Sequence, residues 1–196
     1  MLAIDLIDSG EQAELKFLQE RCGQFFIDSQ KLPLFKNLSN KYNDFHRVKV
    51  RKRKSEVEEE FVDTFNSAFA EKQNNIRQRA IFANGVSSFA PCYQHDLEPF
   101  FIFPIDGYRY MYSTEVENSN ADYKKVFDLL FETFGDGGGR DIATELLKFT
   151  YKSDDLYRGI QSGAEIILYN IPYFYAIKVS AVNDYSQLVK SILPDK

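Results

Sequence analysis

The sequence predicts an α+β fold in a single domain spanning residues 1–196, and three observations carry that expectation. Segments with apolar residues at helical spacing alternate with short apolar runs of strand character. The strand-like runs come in adjacent pairs separated by turn residues, which is the pattern of an antiparallel sheet built from hairpins; a doubly wound parallel sheet needs a helix between paired strands. The length, 196 residues, suits one hydrophobic core and is short for two.

The elements follow in order. Ser9-Gly-Glu-Gln12 has capping-box spacing, and Leu15, Leu18, Cys22 and Phe25 recur behind it, so a helix is expected over about 10–27. Lys31-Leu-Pro33 ends it, because the residue before a proline is pushed out of the helical region. Residues 34–43 read as a linker or helical turn, and the N-terminal helical segment 1–43 can pack as an arm on the remainder. Phe45 to Lys54 reads as a strand. Ser55-Glu-Val-Glu58 is a second capping box, opening a helix over about 56–75. Its Phe61, Phe65 and Phe69 form a stripe that is expected to be core, since apolar residues at helical spacing ordinarily are. Arg77 to Ala83 either continues the helix or forms a short strand closed by Gly85, and 86–98 reads as a loop.

Asp106-Gly107 suits a type I′ turn between Phe100–Ile105 and Tyr108–Thr114, which predicts a hairpin over about 97–114. Ser119-Asn-Ala-Asp122 starts a helix over about 119–134 carrying Val126, Leu129, Leu130 and Phe134. Gly135-Asp-Gly-Gly-Gly139 breaks it, and a helix over about 140–150 follows with Ile142, Leu146, Leu147 and Phe149. Ser153 can cap a short turn. A second hairpin is expected over about 164–182, pairing Glu165–Asn170 with Tyr173–Val182 across Ile171-Pro172. Asn183-Asp-Tyr-Ser186 opens a last helix over about 184–192.

Composition bounds the function. At 44% hydrophobic and 27% charged, the chain is globular in character, which excludes a fully disordered one. No apolar run reaches the roughly 18 residues of a membrane span, and the start carries Asp5 and Asp8 where a secretion signal needs bases, so neither is expected. Two cysteines, Cys22 and Cys92, suit a reducing compartment, the cytoplasm during synthesis.

Charge is unevenly spread. Residues 1–30 carry −4, residues 31–54 carry +8 and residues 55–63 carry −5, within a total of −5. In Arg47-Val-Lys-Val-Arg-Lys-Arg-Lys54 a strand places Arg47, Lys49, Arg51 and Arg53 on one face. Four like charges there call for an anionic neighbour, either nucleic-acid phosphates or acids. The acids can come from the adjacent Glu56–Asp63 segment or from another subunit. The acidic total weighs against a dedicated nucleic-acid binder.

Other chemistries are thinly supported. The glycine run lacks a P-loop or dinucleotide pattern and reads as an interhelical linker. Cys92-Tyr-Gln-His95 offers one thiol and one imidazole, too few for a structural zinc and with nothing to orient a base. Asp106, Glu115 and Glu117 loosely resemble the acidic trio that holds a metal in nucleases. Leu156-Tyr-Arg-Gly159 resembles the arginine motif of some ADP-ribosyltransferases, but too little chain follows it for that fold. No catalytic, cofactor-binding or metal-ligating residue is therefore assigned, and no cofactor is expected.

The remaining signal is aromatic: 18 Phe, 12 Tyr and no Trp. Tyrosine supplies contact area at low entropic cost. Tyr108, Tyr110, Tyr112, Tyr173 and Tyr175 are thus the expected subunit contacts. The expected function is a non-enzymatic structural or interaction subunit of a multi-chain assembly, homo- or hetero-oligomeric. The Phe/Tyr/Asn/Lys-rich, Trp-free composition is similar in style to that of bacteriophage virion proteins of head, neck or tail. The alternatives are a small nucleic-acid-binding accessory protein using the basic strand 47–54 and, third, a metal-dependent nuclease.

Overall fold

A computed structural model describes residues 9–52, 59–86, 96–115 and 119–193. Its elements are α1 (Ser9–Arg21), α2 (Gly23–Asp28), β1 (Phe35–Ser39), β2 (Phe45–Lys49), α3 (Glu59–Ala68), α4 (Ile76–Arg79), β3 (Ile81–Asn84), β4 (Leu97–Pro104), β5 (Arg109–Tyr112), α5 (Ser119–Thr150), α6 (Leu156–Gln161), β6 (Glu165–Tyr169), β7 (Tyr173–Lys178) and α7 (Tyr185–Ile192). The seven strands form an antiparallel sheet in the order β2-β7-β4-β1-β3-β6-β5, and the fold is α+β.

Neither expected hairpin forms. β4 pairs with β1 and β7, and β5 pairs with β6 and not with β4, so Asp106-Gly107 does not close a two-stranded turn. Likewise β6 pairs with β3 and β5, and β7 with β2 and β4. The register shows what happens instead. Pro104 faces Phe174 and Arg109 faces Tyr169, so stepping from β4 to β5 along one strand matches an equal step back from β7 to β6 on the other. The segments 97–112 and 165–178 therefore run side by side in one register, paired on both sides of a shared bend at 105–108 and 170–173. Gly107 (φ 88°) and Asn170 (φ 65°) turn the two corners in the left-handed region that Gly and Asn tolerate. Turn residues mark a change of chain direction, and a corner needs them as much as a hairpin does.

The sheet cannot be flat. β6 and β7 stand four positions apart in it, about 19 Å at ordinary strand spacing, whereas Tyr169 to Tyr173 spans at most about 14 Å of chain. The sheet curls, closing on itself through the bent strands and the Phe35–Asn84 pairing of β1 with β3. Phe100, Ile102, Phe174 and Ala176 from one half meet Ile81, Ala83, Ile166 and Leu168 from the other inside that curl. Helices cover the outside. Phe25 of α2 packs edge-on against Phe103 at 6.0 Å, and Tyr185 of α7 lies 4.7 Å from Phe101. The Phe61-Phe65-Phe69 stripe is core as expected, packed with Phe127, Tyr151 and Ile167 over the other half.

Smaller differences have local causes. The expected 10–27 helix divides at Cys22 (φ −124°, ψ 21°), yet Leu18, Cys22 and Phe25 stay buried across the break. Residues 35–39, read as a linker, are a strand because β4 supplies the pairing, a partner about sixty residues distant. The 56–75 helix is described over Glu59–Ala68 and ends before Phe69. Arg77–Ala83 contains the end of α4 and the start of β3. α6 is capped by Asp155, whose Oδ1 accepts from the Arg158 amide at 3.0 Å, in place of Ser153. The capping-box side chains of Ser9 and Gln12, and Ser55–Glu58, lie outside the described parts.

α5 contains the break that the glycine run predicts. Gly135 (φ 70°, ψ 170°) separates residues 119–134 from 136–150. The two arms fold back on each other: Tyr123 Oη and Thr150 Oγ1 share a 2.6 Å hydrogen bond, and a Cβ at Gly139 would stand 2.8 Å from the Leu130 carbonyl oxygen. Glycine at 139 permits that approach. The result is a helical hairpin with its tip in solvent.

Candidate interaction surfaces

Among the described residues β2 is an edge strand, paired only with β7. Period-two alternation puts Arg47 and Lys49 in solvent on one face, with His46 and Val48 half-buried on the other. Strand pairing continues one step further, where the Val50 amide donates to the Pro172 carbonyl at 2.8 Å, and an exposed Arg51 follows. Arg53 and the acids Glu56 and Glu58 lie outside the described residues. Among the described residues no carboxylate pairs with Arg47, Lys49 or Arg51; Glu60 instead meets Arg140 at 3.6 Å. The Arg47 guanidinium lies over the Tyr173 ring at 5.3 Å, a cation–π contact on a ring that itself meets Tyr175 edge-on at 5.7 Å.

Lys49 and Arg51 also line a groove of about 300 Å³ beside this edge, together with Asn37 and Ser39 of β1. Val48, Val50 and Leu97 contribute apolar lining. Tyr42 lines it too, stacked on His46 with centroids 4.3 Å apart and 19° between planes. Lys36 reaches the groove, but its Nζ donates to the Phe82 carbonyl at 2.7 Å.

The five tyrosines divide. Tyr108 and Tyr112 are 2% and 0% exposed, and Tyr175 is buried beneath Phe45 at 5.5 Å. Rings so deep have almost no area to offer a neighbour. Tyr108 Oη donates to Asp28 at 2.7 Å, and Tyr112 Oη to Asp154 at 3.1 Å. Burial, reinforced by that Asp154 bond, pushes the Tyr112 phenol up to about 12. Tyr110 and Tyr173 are half-buried and retain surface.

Of the apolar residues at helical spacing in α5, Leu147 is buried and Leu130 and Leu146 pack against the core, whereas five others face solvent, which spacing alone does not tell apart. Tyr123, Phe127, Ala143 and Leu147 are the buried residues. Leu129, Phe134 and Phe149 are exposed by 63%, 56% and 85%, with Val126 and Ile142 also in solvent. Both faces of the hairpin are apolar, and the one carrying Tyr123, Phe127, Ala143 and Leu147 is turned to the core. That two-sidedness was the available signal.

A buried ionic group was also missed. Glu165 lies on the outer side of β6, beneath the helices. Burial raises its carboxyl above the ordinary value, against the pull of Arg77 and of hydrogen bonding from Ser119. Arg77 Nη1 donates to Ser119 Oγ at 2.9 Å, and its guanidinium lies 4.2 Å from the Phe82 ring centroid. A lone glutamate in an apolar run carries no sign of this in the sequence, since its partners come from α4 and the start of α5.

The remaining chemical candidates take structural places. Asp106 Oδ1 accepts from the Gln24 amide at 2.8 Å, tying the corner to α2. In Leu156-Tyr-Arg-Gly159, Leu156 is core, and a Cβ at Gly159 would stand 2.7 Å from the Tyr112 ring. Cys22 is buried, and burial drives its thiol far above the ordinary value. Cys92, His95 and Glu117 lie outside the described residues. Among the described residues no three His, Cys, Asp or Glu side chains gather as metal ligands, and no helix is long and apolar enough to cross a membrane. Comparison with family models, with curated proteins and with solved structures gives no match for this chain.

Proposed function

We propose that the chain is a non-enzymatic structural and interaction subunit of a multi-chain assembly, made in a reducing cytoplasm. In the finer form of this reading it is a bacteriophage virion component, supported by its Phe- and Tyr-rich, Trp-free composition. The observation that carries the reading is the α5 hairpin, with Leu129, Phe134 and Phe149 held in water. Large apolar side chains left in water along the length of one helical hairpin are what a covering partner would explain. A second copy is the occupant that fits: two helix pairs related by a two-fold axis bury each other's open faces as a four-helix layer.

Sedimentation velocity over a wide concentration range tests this. The wild type self-associates, and Leu129→Asp/Phe134→Asp/Phe149→Asp is monomeric with an unchanged melting temperature. A wild type that stays monomeric throughout, or a variant that associates equally, overturns the reading.

A further inference from the structure

We propose that the β2 edge and the groove beside it form a binding site for single-stranded nucleic acid, on a surface separate from the α5 hairpin. Three observations converge on it. Arg47, Lys49 and Arg51 stand two residues apart along an edge, about 7 Å between neighbours, a spacing an extended strand of phosphates can follow. All three are exposed, and no described carboxylate pairs with them. The groove that Lys49 and Arg51 help line adds what a bare cationic strip lacks: apolar lining at Val48 and Val50, and the ring of Tyr42, which is backed by His46.

Single strands are held by this combination, cations along the backbone and stacking or apolar surface under the bases. Asn37 and Ser39, which also line the groove, offer hydrogen-bonding groups to base edges. A duplex keeps its bases stacked inside and would leave the lining unused, and an acidic protein would use the cations but not the ring. The competing account is that bases on an edge strand merely discourage pairing with another sheet. That account calls for charge and gives no reason for the groove.

The test is fluorescence anisotropy of the full chain with labelled oligothymidylate and oligouridylate, with a labelled duplex of mixed sequence and with labelled polyglutamate. The wild type binds the single strands in preference to the duplex and to polyglutamate, with affinity falling steeply in salt. Arg47→Gln/Lys49→Gln/Arg51→Gln loses at least about tenfold in affinity and about two units of log–log salt slope, one phosphate contact per side chain at about 0.7 each. Tyr42→Ala loses about tenfold with the slope unchanged, because stacking releases no counterions. Circular dichroism and melting temperature establish that both variants fold. Failure to bind single strands, equal or tighter binding of duplex or polyglutamate, or single-strand binding untouched by the triple variant overturns the proposal. Because the α5 residues are intact in these variants, the outcome is independent of self-association.

Discussion

The side-chain amide of Asn170 donates to the carbonyl oxygen of Gly107 at 3.1 Å, joining the two corner residues across the bent pair of strands. The same corner is held from other sides: the Gly107 amide donates to Gln24 Oε1 at 2.9 Å, and the Asn170 amide to Gln73 Oε1 at 2.8 Å. The bend is thus fixed by α2 and by the turn after α3, as well as by its own two strands.

Removing that link should cost stability in separable parts. Asn170→Gly keeps the left-handed corner but loses the 3.1 Å bond, for about 1 kcal/mol. Asn170→Ala loses the bond and also strains the backbone, for about 2 kcal/mol or more. Urea denaturation of the two variants beside the wild type checks the order. Equal losses would mean that φ at 170 carries no strain.

Two phenylalanines differ enough in setting to test the assignment of core. Phe65 is fully buried against Phe61, Phe69 and Tyr151, and Phe65→Ala is expected to cost about 4 kcal/mol. Phe149, 85% exposed, should change stability by less than about 0.5 kcal/mol when truncated, measured at a dilution where the chain is monomeric. A large loss at Phe149 in the monomer would place its ring inside the fold.

Glu165 gives a pH dependence with a definite sign. Burial holds its proton in the folded state to higher pH than in the unfolded chain. As pH rises past the ordinary carboxylate value, the unfolded state ionises first, so the stability Glu165 contributes below that value is lost until its raised value is passed. Glu165→Gln cannot titrate. The stability of the wild type relative to this variant should therefore fall with rising pH across that window and level off above it. Denaturant midpoints at a series of pH values measure it, and a difference that stays constant or grows is the contrary result.

How far the fold was legible follows from which interactions are local. The α+β class, the Phe61-Phe65-Phe69 core face and the break at Gly135 depend on residues within a few turns of one another, and all three stand in the structure. The pairing of β1 with β4 and the shared bend at Gly107 and Asn170 do not. Asp-Gly has the same backbone freedom at a corner as in a hairpin, and only the distant partner strand decides between them. Of the candidate contacts, Arg47 and Lys49 were placed on one exposed face by simple alternation, whereas Tyr108, Tyr112 and Tyr175 went inside. Alternation says which residues share a face, and the far side of a curled sheet is not written in the strand itself.

The matching register on the two sides of the corners, Pro104 with Phe174 and Arg109 with Tyr169, carries a parity rule. Substitutions within 105–108 or 170–172 alter how sharply the chain turns but leave the inside and outside of every later position as they were. One added or deleted residue there would exchange the two sides of the whole stretch beyond it, sending Tyr112 or Phe174 to water and their neighbours inward. Length is therefore the property these corners can least change, whereas an ordinary surface loop tolerates insertion.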